Sequence, residues 1–150
     1  MKLNRKIEYA LMALNYLYFE LKKQNRPIPI REIIFATNIP FDTTSKVMQI
    51  LSSNGIVKST QGIKGGYTLS KNLNEISYFS LASLIEDKLS LVGCLDEQTA
   101  CDLAPNCQII TPMKNFNNKF EHFLKQVTLL ELIDPNCDKQ TEQLSNSFRV

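Results

Sequence analysis

Apolar residues recur every three or four positions along residues 4–24, at Ile7, Leu11, Leu14, Tyr18 and Leu21. This spacing puts them on one face and predicts an amphipathic helix. Glu8 lies on a neighbouring stripe, in the first turn, where the helix dipole favours an acidic side chain. Stabilisation of the helix start is therefore one complete explanation for Glu8.

Two shorter helices are predicted over residues 30–37 and 40–53, separated by a tight turn. Asn38 suits a left-handed position after the first of them, and Pro40 suits the first turn of the second. The second helix has an apolar side, and its other side carries hydrogen-bonding side chains: Asp42, Thr43, Ser45, Lys46, Gln49 and Ser52. This profile is typical of a helix-turn-helix, although many small helix pairs share it.

A β-hairpin is predicted next, with strands over residues 56–60 and 67–70. The connection between them, Gln-Gly-Ile-Lys-Gly-Gly, contains three glycines and favours a tight turn. Lys58 and Lys64 lie on this hairpin and have the reach to contact phosphate or a DNA minor groove. A hairpin directly after a helix-turn-helix predicts a wing, and a plain surface hairpin with incidental lysines is the alternative.

The remaining apolar pattern predicts two further helices. Residues 78–88 form the first, with Ser77 as its N-cap. Pro112 opens a long second helix whose apolar positions continue to Leu130 and include three phenylalanines on one stripe. Such a stripe is too apolar to face solvent alone, so a second copy of the chain is the expected partner. Packing within the same domain is the alternative.

The predicted fold class is mainly α with a small β-hairpin wing: a winged helix-turn-helix plus a long C-terminal dimerisation helix. The expected organisation places the DNA-binding domain at residues 1–77 and a cysteine loop with the dimerisation helix at residues 78–134. Residues 135–150 are polar and are expected to form a flexible tail.

The charge distribution separates the chain into two halves. Residues 1–71 contain eleven basic and four acidic side chains, a balance of +7, whereas residues 72–150 contain six and eleven, a balance of −5. A basic half predicts contact with a polyanion, here double-stranded DNA. No apolar run reaches membrane-spanning length, and no secretory leader follows the first residues. We therefore expect a cytoplasmic protein without a membrane partner.

Three of the four cysteines, Cys94, Cys101 and Cys107, follow the spacing C-x6-C-x5-C in a polar loop. Clustered thiols in a cytoplasmic protein bind metal or sense redox state more often than they form disulfides. Structural zinc sites commonly use C-x2-C pairs, so this wider spacing favours an iron–sulfur cluster over zinc. A thiol-based redox role without metal stays open. Cys137 is interpreted as an unliganded thiol, with an alternative ligand or a redox partner as the other possibilities.

Several motifs together resemble the Rrf2 family of winged-helix transcription regulators. The wing sequence G-x-x-G-G-Y-x-L at residues 62–69 follows L-x-x-x-G-I-V-x-S at residues 51–59. Residues 8–14 resemble the family's first helix, and residues 127–132 resemble the end of its dimerisation helix. The likeness covers about residues 3–133 and also includes the three-cysteine loop. The family contains iron–sulfur regulators and nitric-oxide sensors.

The resemblance implies a homodimer that binds a palindromic operator and carries one iron–sulfur cluster per subunit. The three family cysteines match Cys94, Cys101 and Cys107. Ile110 occupies the position of the histidine ligand found in the cluster regulators, and His122 lies too far along the long helix to replace it. The nitric-oxide-sensing branch instead uses an acid from the partner subunit's first helix, which matches Glu8. Of the two cluster forms in the family, 4Fe–4S is preferred here over 2Fe–2S.

The predicted DNA contacts lie on the second helix of the helix-turn-helix and on the wing: Asp42, Thr43, Ser45, Lys46, Gln49, Lys58, Gln61 and Lys64. Two departures from the family pattern affect this surface. Gln61 stands where the family often has arginine, so we expect minor-groove insertion at that position to be weaker or differently tuned. The aromatic residue that the family often has on this helix near Thr43 is also not matched in its place, and the nearest aromatic residue in this chain is Phe41. The operator of this chain is therefore not assumed to equal that of any relative.

The function predicted from these features is regulation of transcription, as repressor or activator, with operator affinity responding through the cluster to redox state, nitric oxide or iron status. An iron–sulfur carrier or assembly scaffold on the same fold is the alternative from another class, beside the metal-free thiol regulator. An enzyme is not expected, because the chain shows no Ser/His/Asp set, phosphate loop or paired acids and has one histidine. No small-molecule substrate is predicted.

Overall fold

The computed structural model describes residues 4–86, 89, 101–102 and 104–137. Within them the chain forms α1 (Arg5–Lys23), α2 (Ile30–Thr37), α3 (Phe41–Ser53), β1 (Val57–Thr60), β2 (Gly66–Leu69), α4 (Tyr78–Ile85), α5 (Ile110–Gln126) and α6 (Leu129–Ile133). Cys94 and the predicted tail beyond residue 137 lie outside the described residues. No helix in the described ranges is both long enough and apolar enough to cross a membrane.

The helix boundaries follow from local capping chemistry. The Asn4 side chain accepts a hydrogen bond from the Lys6 N–H at 3.0 Å and starts α1. Asn38 ends α2 in the left-handed conformation, with φ 57° and ψ 26°, as the sequence predicted. Pro40 then precedes α3, which ends before Gly55 with its φ of +67°. α2 thus has its predicted bounds and α3 begins one residue later than predicted, because asparagine and proline fix the two sides of the turn.

α1 lies at the centre of the fold and packs against α2, α3, α4, α6 and β2. Its buried side contributes Ile7, Ala10, Ala13, Leu14 and Leu17 to one hydrophobic core. That core also takes side chains from α3, the hairpin, α4 and α6: Val47, Met48, Leu51, Val57, Leu81, Ala82, Leu129 and Ile133. Burial of this shared apolar surface holds the C-terminal helices against the helix-turn-helix.

The predicted long helix is interrupted. A single helix was expected to carry its apolar repeat to Leu130, but α5 ends at Gln126 and Val127 is extended. Thr128 then starts α6 with a capping box: the Glu131 N–H donates to the Thr128 hydroxyl, and the Thr128 N–H donates to the Glu131 carboxylate. The apolar pattern continues through the break because Leu129 is buried in the core, whereas α5 has no buried residue and only borders the core.

A pair of backbone hydrogen bonds fixes this break. The Tyr78 N–H donates to the Val127 carbonyl and the Leu129 N–H donates to the Ile76 carbonyl, each at 2.8 Å. The same segment starts α4, where Ser77 caps the helix as predicted. α4 ends at Ile85, before the predicted residue 88, because Glu86 is extended.

Candidate nucleic-acid interface and thiol site

The outer face of α3 carries the polar residues that the sequence assigned to DNA contact. Asp42, Lys46 and Gln49 are exposed, and Thr43 and Ser45 are half-buried. The inner face consists of Thr44, Val47, Met48 and Leu51, all buried. Burial of Thr44 costs little because its hydroxyl donates a hydrogen bond to the Pro40 carbonyl at 3.0 Å. The packing of α3 against α1 and α2 therefore leaves a polar face accessible to a ligand.

The hairpin formed by β1 and β2 places the remaining predicted contact residues on a wing. The strands pair antiparallel, from Val57 opposite Leu69 to Thr60 opposite Gly66. Lys58 on β1 and Gln61 and Lys64 in the connecting loop are exposed. β1 packs against α3, so the wing adjoins the helix that presents the polar face.

The wing is anchored by a contact that the sequence analysis did not identify. Ile28, in the α1–α2 connection, exchanges two backbone hydrogen bonds with Tyr67 of β2, at 2.9 and 2.8 Å. This approach requires glycine at position 66, because a Cβ there would lie 2.5 Å from the carbonyl carbon and oxygen of Ile28. Ile28 lies between Pro27 and Pro29, and its apolar character is the only feature of the sequence there that indicates burial.

Cys101 and Cys107 lie on either side of a short 3-10 turn, Ala104–Asn106, before α5. Both side chains are half-buried, and neither thiol forms a disulfide. Thiols that are partly accessible and unpaired are suited to binding a soft metal centre once they lose their protons. The third predicted ligand, Cys94, lies outside the described residues, and Cys137 ends the 3-10 turn that follows α6.

Glu8 is exposed in the first turn of α1. The structure gives it no hydrogen bond or ion pair to a described residue, whereas Glu20 and Glu32 of the same region pair with Lys23 and Arg26. Burial raises the pKa of Tyr78, and the negative charges of Glu86 and Glu8 raise it further. The Glu8 carboxylate therefore lies near the start of α4 and is accessible to a ligand outside its own subunit.

The predicted ligands do not come together within the described part of one subunit. Among those residues, no three His, Cys, Asp or Glu side chains form a group that could hold a metal ion. His122 is exposed in α5, where its Nε2 lies 3.1 Å from Nε2 of Gln126. Ile110, at the position of the family histidine, begins α5. The assignment of Cys94, Cys101, Cys107 and Glu8 as a ligand set stays a prediction.

α5 presents an uncovered apolar stripe. None of its 17 residues, all within the described part of the chain, is buried. Phe116 and Phe123 are 55% and 51% exposed, and Met12 and Phe19 on the Glu8 side of α1 are 42% and 37% exposed. Half-exposed aromatic side chains along one stripe indicate that this helix packs against a further surface that the single subunit does not provide.

The chain matches the Rrf2 family model, described as an iron-dependent transcriptional regulator, over residues 3–135. It is 29% identical over 134 residues to the HTH-type transcriptional regulator IscR of Pectobacterium atrosepticum, which covers 89% of this chain and 80% of that protein. The matched family and relative are transcriptional regulators, in agreement with the prediction that the chain is not an enzyme.

Solved structures also resemble this fold. CymR, the global cysteine regulator of B. subtilis, superposes with a TM-score of 0.67 at 22% identity, covering 90% of this chain and 98% of that one. IscR of T. potens superposes with a TM-score of 0.64 at 17% identity, covering 97% and 96%. At these identities the likeness shows the fold alone, and it confirms the predicted fold class.

Proposed function

This chain belongs to the Rrf2 family of transcriptional regulators, and from that premise we propose that it is a homodimer whose affinity for a palindromic operator is set by an iron–sulfur cluster. The proposed ligands are Cys94, Cys101 and Cys107 of one subunit and Glu8 of the partner subunit. The proposed division assigns DNA binding to residues 1–77 and cluster binding with dimerisation to residues 78–134.

The observation that carries the DNA-binding part is the polar face of α3 beside an anchored, lysine-bearing wing. Asp42, Lys46 and Gln49 point away from the core and match the hydrogen-bonding groups on base edges or phosphates. Lys58 and Lys64 supply positive charge for the backbone. Thr43, Ser45 and Gln61 complete the proposed contact set.

The dimer part is supported by α5. Phe116 and Phe123 stay half-exposed in the single subunit. In a dimer they would be covered by the second subunit, either by its α5 or by the face of its α1 that contains Met12 and Phe19. The proposal further requires that, in this dimer, α1 of one subunit lies close enough to the thiol loop of the other for Glu8 to reach the partner's thiols.

The donor set fits an iron–sulfur cluster in its chemistry. Cys101 and Cys107 are unpaired and partly accessible thiols, and thiolates are the preferred ligands of such clusters. When bound, the cluster supplies an iron atom that reacts with nitric oxide or oxygen or is lost, most readily where the ligand is a carboxylate. Of the two forms, 4Fe–4S is preferred over 2Fe–2S, with one cluster per subunit.

α1 provides the connection between the two sites. Its outer side carries Glu8, and its buried side packs against α3 through the common core. A change in the ligation of Glu8 therefore shifts α1 together with α3, the proposed recognition helix. A coupling free energy of roughly 1–3 kcal/mol changes operator affinity by roughly 5–150-fold.

The proposal is tested on protein purified without oxygen, by visible absorption, iron content and binding to a duplex selected by the protein from a randomised pool. Cys101→Ser is expected to lose iron and to change DNA affinity to that of the cluster-free protein. Cys137→Ser is the matched control, because it removes a thiol outside the proposed ligand set. A colourless, iron-free wild-type protein with tightly bound zinc would overturn the cluster assignment.

A metal-free thiol regulator is the second candidate. It is favoured by the unpaired, partly exposed state of Cys101 and Cys107. It predicts DNA binding that responds to thiol oxidation in iron-free protein, whereas the cluster regulator responds to loss of iron. A carrier or assembly scaffold would bind a cluster without the steep salt dependence of specific DNA binding.

A further inference from the structure

Ile63 is the most exposed large apolar side chain among the described residues, with a relative exposure of 107%. It lies in the loop of the wing between two exposed polar residues, Gln61 and Lys64. Single exposed apolar side chains are common on protein surfaces. Ile63 differs in its position, because it projects from the loop of the element that adjoins the recognition helix and makes no contribution to the core.

The backbone that presents Ile63 is held in place. Gly62 adopts a φ of +112°, and the Gly65 N–H donates to the Gly62 carbonyl at 2.9 Å, which closes the loop around Ile63. The Ile28–Tyr67 bridge also fixes β2 close to this loop. The branched Cβ of isoleucine further limits its side-chain rotation. Placing Ile63 against a ligand therefore costs little conformational entropy.

We propose that Ile63 enters the DNA minor groove as an apolar contact and selects A·T pairs at the position where the wing lies. This inference rests on the proposed DNA-binding function. Lys58 and Lys64 hold the wing to the phosphates, and Ile63 packs against the sugars that form the groove walls. The contact adds to recognition by α3 in the major groove, on a wing whose Gln61 carries no charge.

The preference for A·T follows from groove chemistry. The guanine N2 amino group projects from the floor of the minor groove and requires a hydrogen-bond partner, which isoleucine cannot provide. A·T pairs lack that group, and A·T-rich segments narrow the groove so that both walls contact the side chain. A G·C pair at this position therefore keeps Ile63 farther from the floor and leaves an amino group poorly solvated.

The test uses a duplex selected by the wild-type protein from a randomised pool. Each symmetric pair of positions outside the recognition-helix half-sites is changed in turn to A·T, G·C or inosine·C. Inosine removes the N2 amino group while keeping the major-groove acceptors of guanine. Affinity is measured over a series of salt concentrations for the wild type, Ile63→Ala and Lys64→Ala.

The wild type is expected to bind roughly three- to tenfold more weakly with G·C at the wing position, and inosine·C is expected to restore affinity. Ile63→Ala is expected to lose this discrimination while keeping the salt slope, whereas Lys64→Ala reduces the slope and keeps the discrimination. Equal discrimination by wild type and Ile63→Ala, or inosine·C behaving as G·C, would overturn the inference. Failure of the wild type to bind any selected duplex would overturn the proposed function itself.

Discussion

Glu8 differs from the other acidic side chains of α1 and α2. Glu20 and Glu32 are paired with basic residues, whereas Glu8 is exposed without an ion pair in the part of the chain that the structure describes. The helix dipole favours an acidic side chain in the first turn whether that side chain binds a cluster or only stabilises the helix start. A measurement of stability therefore does not distinguish these two roles of Glu8. A functional measurement on Glu8 does.

Replacement of Glu8 by alanine is expected to leave a folded dimer and to reduce the change in DNA affinity that accompanies cluster loss. In the wild type we expect DNA affinity to differ roughly 5–150-fold between cluster-loaded and iron-depleted protein. In Glu8→Ala this ratio should approach one, because α1 is no longer coupled to the ligation of the cluster. DNA affinity of loaded and iron-depleted protein measures it. Glu75→Ala, which removes an exposed charge from another segment, is the control. Unchanged regulation in Glu8→Ala would contradict the proposed linkage.

Gly66 tests the anchoring of the wing. A Cβ at this position meets the Ile28 backbone at 2.5 Å, so Gly66→Ala separates the two segments or shifts the strand. We expect weaker DNA binding, because the wing is no longer held beside α3, and loss of protection of the Ile28 and Tyr67 amides in hydrogen exchange. Ser70→Ala, at the exposed position directly after β2, should change neither DNA binding nor the protection of these amides. Normal protection in Gly66→Ala would show that the bridge is not needed.

At the scale of elements, the junction of α5 and α6 depends on one side-chain cap. Thr128→Ala removes the hydroxyl that accepts the Glu131 N–H and is expected to lower the free energy of unfolding by about 1 kcal/mol. Urea denaturation measures the change, with Thr111→Ala in the exposed first turn of α5 as the control. Equal stability of both variants would mean that the capping box is dispensable.

The elements show which local rules could be read from the sequence. α2 was predicted with its observed bounds because Asn38 and Pro40 impose particular backbone angles. The break at Val127 was missed because the apolar repeat runs through it, although Thr128 and Glu131 carry the capping-box spacing that marks a new helix. The Ile28–Tyr67 bridge joins distant segments, and periodicity does not encode such pairing.

At the scale of the whole molecule, the uncovered stripe of α5 predicts self-association. Phe116→Lys combined with Phe123→Lys places two charges in the proposed interface and should yield a monomer in sedimentation velocity. The fold should survive, because both side chains are half-exposed in the single subunit. Asn115→Lys with Asn118→Lys adds the same charge at exposed polar positions and should stay dimeric. If both double variants stay dimeric, the dimer interface does not include Phe116 and Phe123.

The candidate site could be predicted only in its parts. The cysteine spacing predicts three thiol ligands. The apolar periodicity correctly predicts which side of α3 is polar. No pattern within one chain says which subunit supplies Glu8, because the two copies have the same sequence. The relation between the site and the dimer is therefore the central question for this protein.

The most direct test is a mixed dimer, isolated with two affinity tags, in which one subunit carries Glu8→Ala and the other Cys101→Ser. If Glu8 acts on the partner's thiols, the mixed dimer contains one complete ligand set, and iron at that site should resist a chelator as in the wild type. The Glu8→Ala homodimer should lose its iron faster. Iron loss from the mixed dimer at the rate of the Glu8→Ala homodimer would contradict a site shared between subunits.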